Sequence, residues 1–160
     1  METLERKLEL LARIGAAFNA RGIRWGLGAS ALLYCRGLVE DFHDLDLLVE
    51  LEDAPLAREV LSSLGRFLGA PRHPSYCSKS FAQYEVEGVK VDLIGGFAIR
   101  ERDRVWDCSF QEEQIEGQKT VCGVEIPLMK LSLWEDYYEK MGRPQKAACI
   151  ASWRKAHPQG

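Results

Sequence analysis

The residues best placed to do chemistry are two aspartates, Asp44 and Asp46, in the segment DLDLLVE at positions 44–50. The segment predicts a strand, and alternate side chains of a strand lie on one face. Asp44 and Asp46 should therefore point the same way, about 6.5–7 Å apart, while the leucines between and after them point into the core. Carboxylates at this separation can converge on a hard divalent cation such as magnesium. The pattern alone leaves open the alternative that both acids are simply solvated at a strand end.

A third carboxylate, Asp92, lies in an apolar run that predicts another strand. A two-residue turn at 87–88 joins predicted strands over 81–86 and 89–94, and the register of such a hairpin sets Gln83 opposite Asp92. Aspartate is a poor strand former, and a partly buried carboxylate needs a partner. A metal ion is one suitable partner, and a nearby Lys or Arg is the alternative.

Gly28, Ala29 and Ser30 stand at the predicted passage from a strand to a helix. A glycine allows the backbone to come close to a phosphate, and the N–H groups at the start of the following helix favour an anion. The three residues are therefore candidates for nucleotide binding. Lys79, in the loop before the hairpin, is a further candidate for contact with a phosphate, although loop lysines are usually only solvated.

The turn Gly28-Ala29-Ser30, the pair Asp44-Leu45-Asp46 and the later Val91-Asp92-Leu93 resemble, in order and spacing, the nucleotidyltransferase superfamily, whose core fold is shared with polymerase beta. The resemblance covers roughly residues 23–96, and the C-terminal stretch is similar in style to the helical tail of small prokaryotic members. It implies that Asp44, Asp46 and Asp92 form a two-metal site for magnesium, or manganese, that holds a nucleoside triphosphate. It further implies that Asp92 helps to activate the incoming hydroxyl.

Two features depart from the family pattern. The second turn residue of the family is often Ser, whereas this chain has Ala29, and Ser30 lies one position along the helix, about 100° around its axis. The family also tends to have an Arg or Lys shortly before the acid pair, but two acidic residues precede Asp44 here. The charge of a triphosphate would then be met by the metal and by more distant cations such as Arg36 or Lys79.

The elements that position these residues follow from the hydrophobic pattern. It predicts, in order, a helix, a strand, a helix, a strand, a helix and a hairpin, then a mixed segment over 97–126 that includes a bulged strand or second hairpin, and last a helical pair. This order indicates an α/β (α+β) fold, a mixed sheet flanked by helices. We expect a single domain over 1–160, with its core at about 23–96 and a C-terminal helical extension at about 128–157.

Two other groups of residues are interpreted as structural. His43 precedes Asp44, so alternation along the strand would point it away from the acidic face. The aromatic stripe formed by Trp134, Tyr137, Tyr138 and Met141 has helical spacing. We interpret that stripe as core packing, since amphipathic packing accounts for it without a base-stacking role.

Composition restricts the range of functions. The chain has 160 residues and a net charge of −3, and its basic residues are scattered, which disfavours binding to nucleic acid. No stretch approaches the roughly 20 apolar residues of a membrane span, and the start METLERKLELL is unlike a signal peptide. With five widely spaced cysteines interpreted as reduced thiols, these features predict a cytoplasmic protein. The small core and helical tail would suit a homodimer.

The sequence therefore predicts an enzyme that moves a nucleoside monophosphate from a nucleoside triphosphate to a hydroxyl. The acceptor could be a small molecule, such as an aminoglycoside-like antibiotic, or a macromolecule. One alternative is a catalytically degenerate member of the superfamily that binds nucleotide or a partner, as in toxin–antitoxin systems. The other is a helical interaction module in which the Asp-x-Asp is incidental. The first two hypotheses both require that the three carboxylates share one open cleft, and both fail if the carboxylates are scattered.

Overall fold

A computed structural model describes residues 3–71 and 77–158 of the chain. The helices of this part are α1 (Leu4–Ala20), α2 (Ala29–Cys35), α3 (Ala54–Leu64), α4 (Leu131–Lys140) and α5 (Pro144–Ala156). The strands are β1 (Trp25–Gly28), β2 (Leu45–Val49), β3 (Arg66–Gly69), β4 (Ser80–Val86), β5 (Val89–Gly95), β6 (Ala98–Glu101), β7 (Arg104–Asp107), β8 (Ile115–Val121) and β9 (Val124–Met129). None of the described helices is long and apolar enough to cross a membrane.

Seven of these strands form one mixed sheet in the order β3-β4-β5-β2-β1-β9-β8. β2 runs parallel to β5 and β1 runs parallel to β9, while the other neighbours are antiparallel. β6 and β7 pair separately as a hairpin. β2 lies in the middle of the sheet, and all of its residues except Asp46 are buried. A central strand with apolar side chains on both faces is typical of a sheet that is covered on each side.

Helix α1 packs its apolar stripe against the sheet. Its buried residues recur at helical spacing, and a Cβ added at Gly15 would meet the side chain of Ile126 on β9 at 2.7 Å. Thr3 caps the start of the helix by accepting a hydrogen bond from the backbone N–H of Arg6 at 3.2 Å. The sequence prediction of a helix at the start of the chain is confirmed, and it rested on hydrophobic periodicity, which is a local signal.

Lys7 on α1 ties down the loop that leads to Asp44. Its side chain is buried, and Nζ donates to Asp41 Oδ1 at 2.7 Å and to the carbonyl oxygen of Phe42. The ammonium group also lies 5.1 Å from the centroid of the Phe42 ring. A buried ammonium requires such partners, and in return they fix the backbone just before β2.

The fold differs from the sequence prediction mainly after residue 95. The segment over 97–126 contains the β6–β7 hairpin and most of the β8–β9 hairpin, and only the turn of the second was foreseen. Residues 128 and 129 end β9, although the pattern placed them at the start of a helix that begins at Leu131. A short apolar run does not distinguish a strand from a buried helix. β3 was also missed, since its residues are largely exposed and carry little apolar pattern.

Candidate functional site

The candidate site begins with a row of residues that crosses the sheet. Asp46 on β2 pairs with Gly28 on β1 and with Asp92 on β5, and Asp92 pairs with Gln83 on β4. Residues opposite each other on neighbouring strands, which are about 4.8 Å apart, lie on the same face. Asp46 and Asp92 therefore stand side by side, and Asp44 precedes Asp46 by two residues. The predicted pairing of Gln83 with Asp92 is confirmed.

This face of the sheet opens into a cleft of about 440 Å³. Asp46 and Asp92 line it, and residues from α2, the loop before β2, β4, α4 and α5 form the rest of its wall. The lining residues are Ala29, Ser30, Val39, Asp41, Phe42, His43, Asp46, Pro71, Phe81, Gln83, Asp92, Tyr138, Arg143 and Lys146. Asp44 is half-buried and is not among them.

The carboxylates of the row act on one another. Burial, together with the charges of Asp92 and Asp44, raises the pKa of Asp46 well above its usual value. Burial also raises the pKa of Asp92; a hydrogen bond from Gln83 works against the rise, while the charge of Asp44 adds to it. Asp92 Oδ1 is buried without a hydrogen-bond partner. The cluster therefore collects like charges that nearby cations of the fold, Arg143 and Lys90, offset only in part.

The donor chemistry of this cluster fits a hard cation. It offers only carboxylate oxygens, which magnesium prefers, and one of them is buried and unpaired. As the side chains stand, no group of three or more His, Cys, Asp or Glu residues within 3–71 and 77–158 forms a metal-binding cluster. The cluster therefore suits magnesium through the type and charge of its side chains and their closeness on the sheet, and not through a preformed set of ligands.

The cleft has a basic wall that the sequence reasoning missed. Arg143 and Lys146, at the start of α5, line the same cleft as Asp46 and Asp92, and the charge of Arg143 works against the raised pKa of Asp46. The signal in the sequence was the segment GRPQK, in which a helix start carries two cations three residues apart. Only the packing of α5 beside α4 brings these cations to the cleft, some 100 residues after Asp46.

The turn at Gly28 and Ala29 has a different basis from the one predicted. Gly28 has an extended backbone, with φ −124°, and a Cβ there would lie 2.3 Å from Cζ2 of Trp134. The glycine thus makes room for the indole ring, and Gly28 does not itself line the cleft. Ala29 does line it, in the left-handed region with φ +51°, where a side chain costs energy. Ser30 lines the cleft as well, so the nucleotide-binding role of this turn remains a prediction.

Lys79 and Arg36, the two distant cations suggested by the sequence, lie outside the lining of the cleft. The backbone N–H of Lys79 donates to the carbonyl oxygen of Gly96 at 3.2 Å. Hydrogen bonds from Ser109, and after them the charge of the exposed Lys79 side chain, lower the pKa of Asp107. The Arg36 guanidinium donates to the carbonyl oxygen of Glu116, beside a separate pocket. For both residues, contact with a phosphate stays an untested prediction that the geometry of the cleft does not support.

His43 lines the cleft, which corrects the expectation that it points away from the acidic face. The expectation assumed that the strand begins at Asp44, but β2 begins at Leu45. His43 and Asp44 therefore lie before the strand, where the alternation of side chains does not apply.

The aromatic stripe of α4 is core, as predicted. Trp134, Tyr137 and Tyr138 are buried, and the Trp134 and Tyr137 rings pack edge to face at 5.2 Å between centroids. Tyr138 also reaches the wall of the cleft, where burial, and next the charge of Asp46, raises the pKa of its hydroxyl. The helical tail is thus part of the site rather than an appendage.

Comparison with known proteins identifies the fold. No family model and no curated protein matches the chain. Among solved structures, a Thermotoga maritima protein that is itself a candidate nucleotidyltransferase is 22% identical, with a TM-score of 0.73 over 95% of this chain and 94% of that one.

Two antibiotic-modifying enzymes are also similar in structure. ANT(2")-Ia in complex with adenylyl-2"-tobramycin is 13% identical, with a TM-score of 0.65 over 96% of this chain and 92% of that one. The lincosamide antibiotic adenylyltransferase LnuA, bound to lincomycin, is 12% identical, with a TM-score of 0.57 over 88% of this chain and 93% of that one. Likeness at these identities shows the fold alone, and this chain shares the fold of these nucleotidyltransferase structures.

Proposed function

We propose that the protein is a metal-dependent nucleotidyltransferase that moves a nucleoside monophosphate from a nucleoside triphosphate to a hydroxyl group. The observation that carries the proposal is the placement of Asp46 beside Asp92 in an open cleft, with Asp92 Oδ1 buried and unpaired. Such a cluster lowers the stability of the folded chain unless a cation is supplied, so its presence favours a role in binding. The structural likeness to two antibiotic nucleotidyltransferases supports the same chemistry.

In this proposal Asp44, Asp46 and Asp92 hold magnesium, with manganese as a possible substitute. A bound divalent metal polarises the α-phosphate and stabilises charge on the departing pyrophosphate. Asp92 takes the proton of the acceptor hydroxyl, whose oxygen forms a bond to the α-phosphorus as the bond from that phosphorus to pyrophosphate breaks. Ala29 and Ser30, which face the same cleft, are placed to contact the phosphates through the backbone.

The acceptor that suits this cleft is a small molecule with positive charge. Asp41 is exposed on the rim, where its hydrogen bonds with Lys7 and the Phe42 backbone lower its pKa and the Lys7 ammonium, 2.7 Å away, offsets part of its charge. With three further carboxylates nearby, the wall of the cleft beside β2 favours cationic groups. The similar enzyme structures hold adenylyl-2"-tobramycin and lincomycin, which fits a small-molecule acceptor.

The test is thermal unfolding with each of the four nucleoside triphosphates, with and without magnesium, for the wild type and for Asp44→Asn/Asp46→Asn. A ligand that binds only the folded state raises the unfolding midpoint according to its affinity. We expect a magnesium-dependent rise for the wild type that the double variant loses. Asp103→Asn, in the exposed β6–β7 turn, is the control and should behave as the wild type.

The preferred nucleotide would then be incubated with a panel of hydroxyl compounds, and mass spectrometry would look for the added nucleoside monophosphate and for released pyrophosphate. Transfer to a small molecule would support the proposal in full. Transfer only to a macromolecule would change the acceptor class. If the well-folded protein shows no magnesium-dependent shift with any nucleotide, the proposed function is wrong.

A further inference from the structure

A nucleoside triphosphate brings several negative charges to a cleft whose wall already contains Asp41, Asp46 and Asp92. The loop before Asp44 supplies no Arg or Lys, and Arg36 and Lys79 lie outside the lining of the cleft. The negative charges of the phosphates and the carboxylates repel one another within one cleft unless cations lie nearby. The cations of the cleft wall are therefore the residues to consider, and they come from α5.

Arg143 and Lys146 are the cationic side chains that line the cleft within the described residues. Arg143 immediately precedes α5 and Lys146 lies in its first turn, so the two are three residues apart and neighbours on the helix surface. The Arg143 guanidinium lies 5.5 Å from the centroid of the Tyr138 ring, and the Arg143 backbone N–H donates to the Tyr138 carbonyl oxygen at 2.8 Å. These contacts direct the guanidinium along the wall of the cleft.

Among the described residues, neither cation is used up by an ion pair, although the charge of Arg143 acts on Asp46. Two other basic residues of the same helical pair form ion pairs: Lys140 lies 2.6 Å from an Asp136 oxygen and Arg154 lies 2.8 Å from a Glu135 oxygen. In the part of the chain that the structure describes, neither Arg143 nor Lys146 forms an ion pair. Both stand at the positive end of the α5 dipole, where a cation is disfavoured. Their charge is thus left available to a ligand.

We propose that Arg143 and Lys146 bind the β- and γ-phosphates of the nucleoside triphosphate, and then the released pyrophosphate, in the cleft that they share with Asp46 and Asp92. This inference rests on the proposed function, and it assigns the C-terminal helix to substrate binding. The guanidinium offers paired N–H donors that match phosphate oxygens, and the ammonium adds a mobile point charge. The cations of α5 would then balance the charge of the triphosphate, in place of the Arg or Lys that is missing shortly before Asp44.

The test measures binding of inorganic tripolyphosphate and of ATP, each with magnesium, by calorimetry. Arg143→Met/Lys146→Met removes both charges with little change in side-chain length, and Arg100→Met/Lys155→Met is the matched control. Arg100 and Lys155 are exposed, lie outside the cleft and carry the same total charge. A third variant, Arg143→Lys/Lys146→Arg, keeps the charge and exchanges the side chains.

We expect Arg143→Met/Lys146→Met to weaken binding of both probes by at least about tenfold, as for loss of charged hydrogen bonds, while the control binds as the wild type does. The exchanged variant should retain most of the affinity, which would show that charge at these positions matters. Weaker tripolyphosphate binding supports the inference even if no acceptor is found. Equal binding by the Met variant and the wild type overturns it, and leaves nucleotidyl transfer to be judged by the pyrophosphate assay. A wild type that binds neither probe overturns the inference too.

Discussion

Two acidic clusters lie at opposite ends of the β1–β2 pair, and they are built in opposite ways. At the end where Trp25 pairs with Val49, the paired cluster consists of Arg24, Glu50, Glu52 and Asp53. Arg24 donates to Asp53 from Nε at 2.9 Å and also contacts both glutamates. At the end where Gly28 pairs with Asp46, the open cluster consists of Asp44, Asp46 and Asp92.

The pKa directions express the difference between the clusters. Hydrogen bonds with Arg24 lower the pKa of Asp53, whereas burial and neighbouring carboxylates raise the pKa of Asp46. The paired cluster contains its own cation and therefore holds the fold together. Within the described part of the chain, the open cluster has no cation in an ion pair with its carboxylates and costs stability, which a fold tolerates where a ligand later supplies the missing charge. Charge balance thus separates a structural group of acids from a candidate site on the same pair of strands.

The largest effect should come from the open cluster. Asp46→Asn is expected to lower the rate of nucleotidyl transfer by about 1000-fold or more, since metal contacts contribute several kcal/mol to the transition state. The same variant should unfold at a higher temperature than the wild type without metal, because it removes a repelled charge. Pyrophosphate release and calorimetry in EDTA measure the two effects. If Asp46→Asn were active and less stable than the wild type, the open cluster would be structural, and its contrast with the paired cluster would be wrong.

The two clusters should also respond oppositely to pH. A raised pKa means that ionised Asp46 and Asp92 destabilise the metal-free fold at neutral pH, and this cost disappears as the pH falls through their pKa values toward 3.8. Asp53 has a lowered pKa, so its contribution is complete above 3.8 and is lost as the pH falls through its folded value. Unfolding midpoints from pH 8 to 3 in EDTA should show a rise on initial acidification that Asp46→Asn reduces. Identical pH profiles of wild type and variant would contradict this.

A smaller effect is expected in the paired cluster. Asp53→Asn removes the charged carboxylate that accepts hydrogen bonds from the Arg24 backbone and side chain. This change should lower the unfolding midpoint by about 2–5 °C. Nucleotidyl transfer should be unchanged below that midpoint, because Asp53 lies at the far end of β2 from the cleft. Thermal scans and an assay at 25 °C test both points. If Asp53→Asn lost nucleotidyl transfer without losing stability, the paired cluster would have a role in the reaction, contrary to this prediction.

The smallest effect is expected at the turn beside the open cluster. Ala29→Gly relieves a left-handed backbone, and should stabilise the protein by about 0.5–1 kcal/mol after the greater flexibility of the unfolded chain is counted. Cys122→Gly is the matched control, since Cys122 has φ +49° in the exposed β8–β9 turn, away from the cleft. Denaturant titration should show a similar gain for both variants. If nucleotide affinity changed for Ala29→Gly but not for Cys122→Gly, the turn at Ala29 would take part in nucleotide binding.

The sequence predicted what depends on near neighbours along the chain. Alternation placed Asp46 on the face opposite its apolar neighbours, and the two-residue turn at 87–88 fixed the register that sets Gln83 against Asp92. Helical period predicted α1 and the two helices of the tail within a few residues. These features rest on backbone geometry and turn length, which a short segment specifies by itself.

Only the tertiary structure decided which distant residues meet. The parallel pairing of β2 with β5 brings Asp46 beside Asp92, and the packing of the tail brings Arg143 and Lys146 to the same cleft. It also placed His43 inside the cleft and left Lys79 outside it. Contacts between segments far apart in sequence depend on how all the elements pack together, and no local pattern encodes that packing. The chain therefore specified its acids locally, whereas the cations that face them were set by the fold.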